Sequence, residues 1–543
     1  MTGAWRRLAA EPLRPYKQGK REEGEMELTL PSGLSRRQFD AALRAFAGVV
    51  GEDWVLATDE DRDAYLDVFA WDAAAHAPSA AIAPLSAEEV QAVVRVANDR
   101  DVPLWVISRG KNFGYGGASP VLKGSVVLDL SRMKRIEIDE EFGTALLEPG
   151  VGFYDLYDHL ESRSIPLWLS VPGNSWGSVV GNALDRGVGY TSYGDHPSKI
   201  CGLEVVLPDG ELVRTGPGAM EGSRTWQLQR GGFGPGWDHM FLQSNFGVVT
   251  KMGLWLMPEP EAVLGLNIEL DNKEDLGWAV DLVAKYRREG LIQAAPSFGN
   301  WLRVAATLTR RTEWTDQPGA LSDAVIDAIR ERYNLGWWSL SLRFFGYEDV
   351  QLPIQRRLEA EFGSHPLHSI AKVDWRRGQP RNDSFAGTPI TFPLQNANWH
   401  GGRGGHIGYS PTLPARGDLA MAQFARTYDR YVEFGMDYHG SFAMGERHIT
   451  NVNQLLFDKD DPDMVGRVEA MFHALVEDAT AQGYGEYRAH IAFMDLVAET
   501  YGFNDHAARR LNERVKDALD PKGILSPGKS GIWPRKYRQG DRR

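Results

Sequence analysis

Apolar residues recur at helical spacing soon after the chain begins. In LSRRQFDAALRAFAGVVG the residues Phe39, Leu43 and Phe46 fall on one face, which predicts an amphipathic helix. SAEEVQAVVRVANDRDV predicts a second, with Ser86 as N-cap and Glu89 three residues on to complete a capping box. The pattern then changes. PLWVIS and GSVVLDLS are short apolar strands flanking the glycine-rich SRGKNFGYGGASP. GLEVVLPDGELVRTG predicts a hairpin turning at Pro208, Asp209 and Gly210. QSNFGVVTKMGLWLMPEPE adds a strand with a Pro-rich exit near Pro258 to Pro260.

From about Ala262 to Gln482 helices (KEDLGWAVDLVAKYRREG, GDLAMAQFARTYDRYVEFG) alternate with short strands. The tail predicts one more helix in HAARRLNERVKDALD. No repeat or low-complexity tract interrupts the chain. The pattern is that of a mixed α+β protein with two domains, and 543 residues are too many for one ordinary core.

Composition narrows the function. Sixty basic against 73 acidic side chains give a net charge of −13, which argues against a general nucleic-acid binder. Cys201 is the single cysteine, so no intrachain disulfide or Cys-based metal cluster forms, and a reducing cytoplasm suits the chain. No metal-binding spacing of histidines occurs, and none is expected. No apolar run is long enough to cross a membrane. The first 33 residues read as an extension, disordered in part, with Met26 as a candidate natural start.

GILSPGKS, residues 523–530, matches the phosphate-loop pattern of nucleotide hydrolases. The context is wrong. That loop must follow a strand and open a helix, whereas here a helix precedes it and 13 residues, including Gly531 and Pro534, follow it. A closing loop is the better reading.

Four other stretches carry chemistry. In residues 108–120 Gly110, Gly114, Gly116 and Gly117 let the backbone present successive N–H groups to an anion; the alternative is an ordinary wide hairpin. VPGNSWGSVVGNALDRGVGYTSYGDH is a second glycine-rich stretch, and two such loops suggest a large phosphorylated cofactor between them. His406 in GGRGGHIGYSP is flanked by glycines and reachable by a ligand; a surface or core histidine is the alternative. In GYGEYRAHIAFMD the Tyr487–Arg488 pair is either an oxyanion receiver or structural.

Together these stretches, with LLEPGVGFYDLY and DPKGILSPGKSGIW, resemble the vanillyl-alcohol oxidase and p-cresol methylhydroxylase family of flavoproteins, its bacterial eugenol oxidases most closely. The resemblance spans about Leu34 to Tyr537. It implies a two-part FAD-binding domain (residues 34–261 and 483–543) and a cap, or substrate, domain with a large antiparallel sheet (262–482). It implies FAD bound covalently through His406. The other cofactor contacts would be Gly110, Lys111, Asn112, Phe113, Gly114, Tyr115, Gly116, Pro172, Gly173, Asn174, Ser178, Val179, Asn182, Gly187, Gly189, Tyr190, Val248, Arg488 and Lys529. The substrate would be a para-substituted phenol whose oxygen is held by Tyr115, Tyr487 and Arg488 and whose benzylic carbon is oxidised to a quinone methide. Electrons would pass to dioxygen, giving hydrogen peroxide, or to a cytochrome or other carrier. A homodimer or larger assembly is implied.

One departure stands out. Gly173 replaces an Asp that eugenol-oxidase-like members carry near flavin N5, which predicts open space there for a bulkier, lignin-derived phenol. His439, in DYHGSFAMGERHITN, falls where the family lines its substrate pocket and is a candidate catalytic base; a surface or core His is the other reading.

Overall fold

The computed structural model describes residues 28–69, 72–381 and 383–538. Most of the N-terminal extension, and Met26 with it, lies outside the described residues.

The first predicted helix forms over Arg36–Val50 and buries Phe39 and Phe46, with a capping box at Ser35 and Gln38. The second, Ala87–Asp99, is capped by the Ser86 side chain, but the Glu89 carboxylate takes the Leu85 N–H instead of closing a box on Ser86. Both helices pack on a four-stranded sheet ordered Val55–Leu56, Ala80–Ile82, Val126–Asp129, Leu104–Ile107.

The last two strands run parallel. This excludes the hairpin reading of residues 108–120, because the connection must carry the chain back along the full strand before Val126 begins. The glycines of this return segment lie at the end of the sheet where the cavity opens.

The second sheet is antiparallel, ordered Ile136–Asp139, Thr144–Leu147, Val248–Trp255, Ile200–Val206, Leu212–Arg214. The predicted hairpin is its last pair, with Gly210 at φ 84° in the turn. Helices Phe153–Ser162 and Val179–Leu184 cover its core.

From Ala262 onward the chain builds a nine-stranded antiparallel sheet. Its strands are longer than the sequence pattern suggests: Ala262–Leu270 and Trp338–Gly346 have nine residues each, and His448–Asp458 has 11. Ala262–Leu270 is buried on both faces for most of its length, so its apolar run lacks the alternation that marks a strand in sequence. Helices Asp275–Arg288 and Gly417–Glu433 pack together over this sheet.

The C-terminal segment then returns to the first sheet. Leu525 forms a parallel bridge with Leu104, and Asn245 Nδ2 donates to the carbonyls of Ser526 and Ile532. The GILSPGKS octet is therefore sheet edge and turn: it runs into the short turn Lys529–Gly531, and the four-residue helix Arg535–Arg538 comes after it. The fold is α+β: one part is built on the two smaller sheets and the other on the large antiparallel sheet. Among the described residues no helix is long and apolar enough to cross a membrane.

Candidate functional site

A cavity of about 390 Å³ opens where the first two sheets meet the nine-stranded sheet. The return segment after Leu104–Ile107 lines one side. Among the described residues, no protein group accepts from the backbone N–H groups of 110–114. Gly110 and Gly114 have φ of 62° and 82°, which a residue with a Cβ rarely adopts. Successive free N–H groups in such a turn form a concavity suited to an anion.

His406 stands on the strand Gly404–Tyr409. Alternation along that strand sends His406 and Gly408 to the cavity, and Ile407 and Tyr409 into the core. The loop is tied to the strand by the Gly408 N–H, which donates to the Gly114 carbonyl at 3.1 Å. A Cβ on Gly114 would overlap His406 Nε2, so this glycine makes room for the imidazole. Burial holds the His406 pKa down to about 4, against a partial offset by the Asp67 carboxylate. Asp67 is itself fixed. Its Oδ2 is paired with His490 Nε2 at 2.7 Å, while His490 Nδ1 accepts from the Ala492 N–H. His490 thus offers its Nε2 proton to Asp67.

Tyr115, from the return segment, meets the adjacent pair Tyr487 and Arg488 from a distant part of the chain. The Arg488 guanidinium lies 4.1 Å over the Tyr115 ring and 5.4 Å from the Tyr487 ring centre. Gly408 is needed here as well, since a Cβ there would come 2.7 Å from the Tyr115 hydroxyl. Burial pushes the Tyr487 phenol well above its ordinary range, with Arg488 drawing it back and Tyr115 adding to the rise. The Tyr487 hydroxyl is therefore protonated at neutral pH and able to donate.

Asp185 holds this cluster together. Its carboxylate accepts from Asn112 Nδ2 at 2.7 Å and from Lys529 Nζ at 3.1 Å, and its backbone carbonyl accepts from Arg488 Nη1 at 3.3 Å. Burial alone would raise the Asp185 pKa, but Lys529 and Arg488 outweigh it and the group lies below its usual value. Asp185→Asn leaves Lys529 without its counter-charge. It is expected to cost about 3 kcal/mol of stability, read as a lower urea midpoint of the purified protein.

Most of the predicted site residues line the cavity. Gly114, Gly116, Val179, Gly189, Val248 and His439 do not. Val179 and Val248 point into hydrophobic cores, on the inward faces of their helix and strand. Gly116 and Gly189 make room for Ile491 and for Ser170 with His196. His439 is buried with its Nε2 3.0 Å from Asn396 Nδ2. Burial, and then Arg303, hold its imidazole neutral.

Gly173 lines the cavity, but part of the expected open space beside it is taken by Tyr190. The Tyr190 hydroxyl lies 2.8 Å from where a Cβ at 173 would stand. Sequence reasoning also passed over Asp185, inside a stretch it had singled out, and Arg303, which no local pattern marks.

The chain matches two family descriptions, "FAD binding domain" over residues 78–216 and "FAD linked oxidases, C-terminal domain" over 445–530. It is 36% identical over 512 residues to the 4-cresol dehydrogenase [hydroxylating] flavoprotein subunit of Pseudomonas putida, covering 93% of this chain and 97% of the relative. Two solved structures superpose closely. One is the 4-ethylphenol oxidase of Gulosibacter chungangensis in complex with isoeugenol: TM-score 0.89, 36% identity, 94% of this chain and 100% of the other. The other is p-cresol methylhydroxylase with substrate bound: TM-score 0.88, 34% identity, 93% and 99% coverage.

Proposed function

Since the chain belongs to the vanillyl-alcohol oxidase and p-cresol methylhydroxylase family of FAD-linked enzymes, we propose that it oxidises the benzylic carbon of a para-alkyl phenol, with dioxygen as the acceptor. The observation that carries this reading is the meeting of Tyr115, Tyr487 and Arg488 in one cavity with His406 and a turn of free N–H groups.

FAD fits the residues present. The free N–H groups of 110–114 suit its pyrophosphate. His406 would hold the ring system covalently, because a buried neutral imidazole keeps a lone pair for bond formation. When bound, FAD supplies the two-electron acceptor.

The protein's own part is to hold the phenol as its anion. Free phenol ionises near pH 10, as tyrosine does. A shift of about three units takes about 4 kcal/mol of differential stabilisation, within reach of two hydroxyl donors and a guanidinium. Once ionised, the ring pushes electrons toward the para carbon. Loss of a hydride from the benzylic position then leaves a neutral quinone methide, which adds water or loses a proton. Asp185 positions the cluster by anchoring Lys529 and the Arg488 backbone contact.

The test is a panel of 4-alkylphenols with the purified holoenzyme under air, and under nitrogen with an artificial acceptor. Bleaching of the flavin by the phenols, with peroxide formed under air, is expected. Bleaching without peroxide would move the protein to the dehydrogenase class, and no bleaching by any phenol would overturn the reading.

Gly114→Ala is expected to displace His406 and leave a folded protein whose flavin separates on acid precipitation, measured as yellow colour in the supernatant.

A further inference from the structure

A second cation lines the same cavity, and it has no counter-charge. Arg303 stands on the short helix Leu302–Ala305, which follows a strand of the nine-stranded sheet. Its Nη1 donates to Ser441 Oγ at 2.7 Å. Among the described residues no carboxylate forms an ion pair with it, and the ionisable groups that act on it favourably are the phenols of Tyr190 and Tyr438. Arg488 differs, because it has the Asp185 carboxylate beside it.

Neither phenol supplies the missing anion. Burial pushes both Tyr190 and Tyr438 above their ordinary range in spite of Arg303, so both stay protonated. Burial also pulls the guanidinium below its usual value. A desolvated cation with no partner is costly, and it is tolerated where a ligand brings the opposite charge. No carboxylate of the chain competes for it at position 173, where the Tyr190 hydroxyl fills the room beside Gly173.

We propose that Arg303 is the counter-charge for a carboxylate at the end of the para side chain, so that the preferred substrate is a (4-hydroxyphenyl)alkanoic acid and not a neutral 4-alkylphenol. The inference rests on the phenol-oxidation reading above. Arg488 then serves the phenolate and Arg303 the carboxylate, while Lys529, which also lines the cavity, is held by Asp185. A guanidinium suits the second task, since its planar fork can take both carboxylate oxygens.

The experiment compares acids with their primary amides on the holoenzyme. 3-(4-Hydroxyphenyl)propanoate and 4-(4-hydroxyphenyl)butanoate are followed by kcat/KM. 2-(4-Hydroxyphenyl)-2-methylpropanoate, which has no benzylic hydrogen to lose, is followed by its dissociation constant from the change in flavin absorbance. Each acid that spans the two cations is expected to be favoured over its amide by about 10-fold or more. The preference is expected to fall below about twofold in Arg303→Met and to be recovered in part by Arg303→Lys, because the lysine keeps the charge and loses the fork. Amides equal to acids throughout in the unmutated protein would overturn the proposal without needing any variant. So would an acid preference that survives in Arg303→Met, or a variant whose only defect is lost flavin. If neutral phenols are oxidised and acids are not, this inference alone falls; if no phenol of either kind binds or reacts, the phenol reading falls with it.

Discussion

Arg488→Met is expected to lower kcat/KM for the preferred phenol by about 100- to 1,000-fold, the loss seen when a preorganised donor to a developing or bound oxyanion is removed. The guanidinium lies over Tyr115 and beside Tyr487, and its charge is what draws the Tyr487 phenol back from the rise that burial causes. Without it, only the hydroxyls of Tyr115 and Tyr487 remain to hold a phenolate. The apparent pKa governing kcat/KM should then move upward, toward the value near 10 of a free phenol. Arg488→Lys keeps the charge but loses the planar fork, and about a 10-fold loss is expected. The decisive measurement is a pH–rate profile of both variants, scaled to flavin content. If Arg488→Met kept a third of the activity with an unmoved profile, the guanidinium would not be the phenolate receiver.

The second large effect is all-or-none. Acid precipitation of the unmutated protein should leave the flavin in the pellet, and the same treatment of His406→Ala should leave all of it in solution. The imidazole sits in a buried site at about pKa 4, so it is neutral and carries a free lone pair at any pH near 7. The sign follows. An ordinary histidine would lose its neutral form as pH fell through 6.5, whereas His406 keeps it down to about pH 4. Flavin attachment to the apoprotein should therefore proceed at a rate that is flat from pH 7 to about 5. A rate falling steeply through pH 6.5 would show that the imidazole is exposed to water when it reacts. Retention of flavin by His406→Ala would move the attachment point to another residue.

Much of the fold was legible because its signals are local. The helices at Arg36–Val50 and Ala87–Asp99 show their buried faces in their spacing. The hairpin ending in Leu212–Arg214 shows its turn in Pro208, Asp209 and Gly210. The glycine-rich loops, His406 and the Tyr487–Arg488 pair were legible for the same reason: each is a short run with an unusual composition. The rejection of GILSPGKS as a nucleotide loop also needed only its neighbours in the chain.

Other features depended on elements far apart in sequence. The strands Leu104–Ile107 and Val126–Asp129 run parallel, and no pattern within either one states its partner's direction. Val179 and Val248 sit within the right segments but on the wrong faces, which only packing fixes. Tyr190 reaches the room beside Gly173, so how much space the missing side chain leaves is set by a residue 17 positions away.

By itself, then, the order of residues determined which segments are glycine-rich loops, helices and turns, since glycine content, capping and hydrophobic period act over a few neighbours. The tertiary structure alone decided how charge is distributed around the cavity. It gave Asp185 its lysine across 344 positions of chain and, among the described residues, left Arg303 without a carboxylate. Ion pairing depends on distance in space and on exclusion of water, and neither quantity is written in a linear pattern.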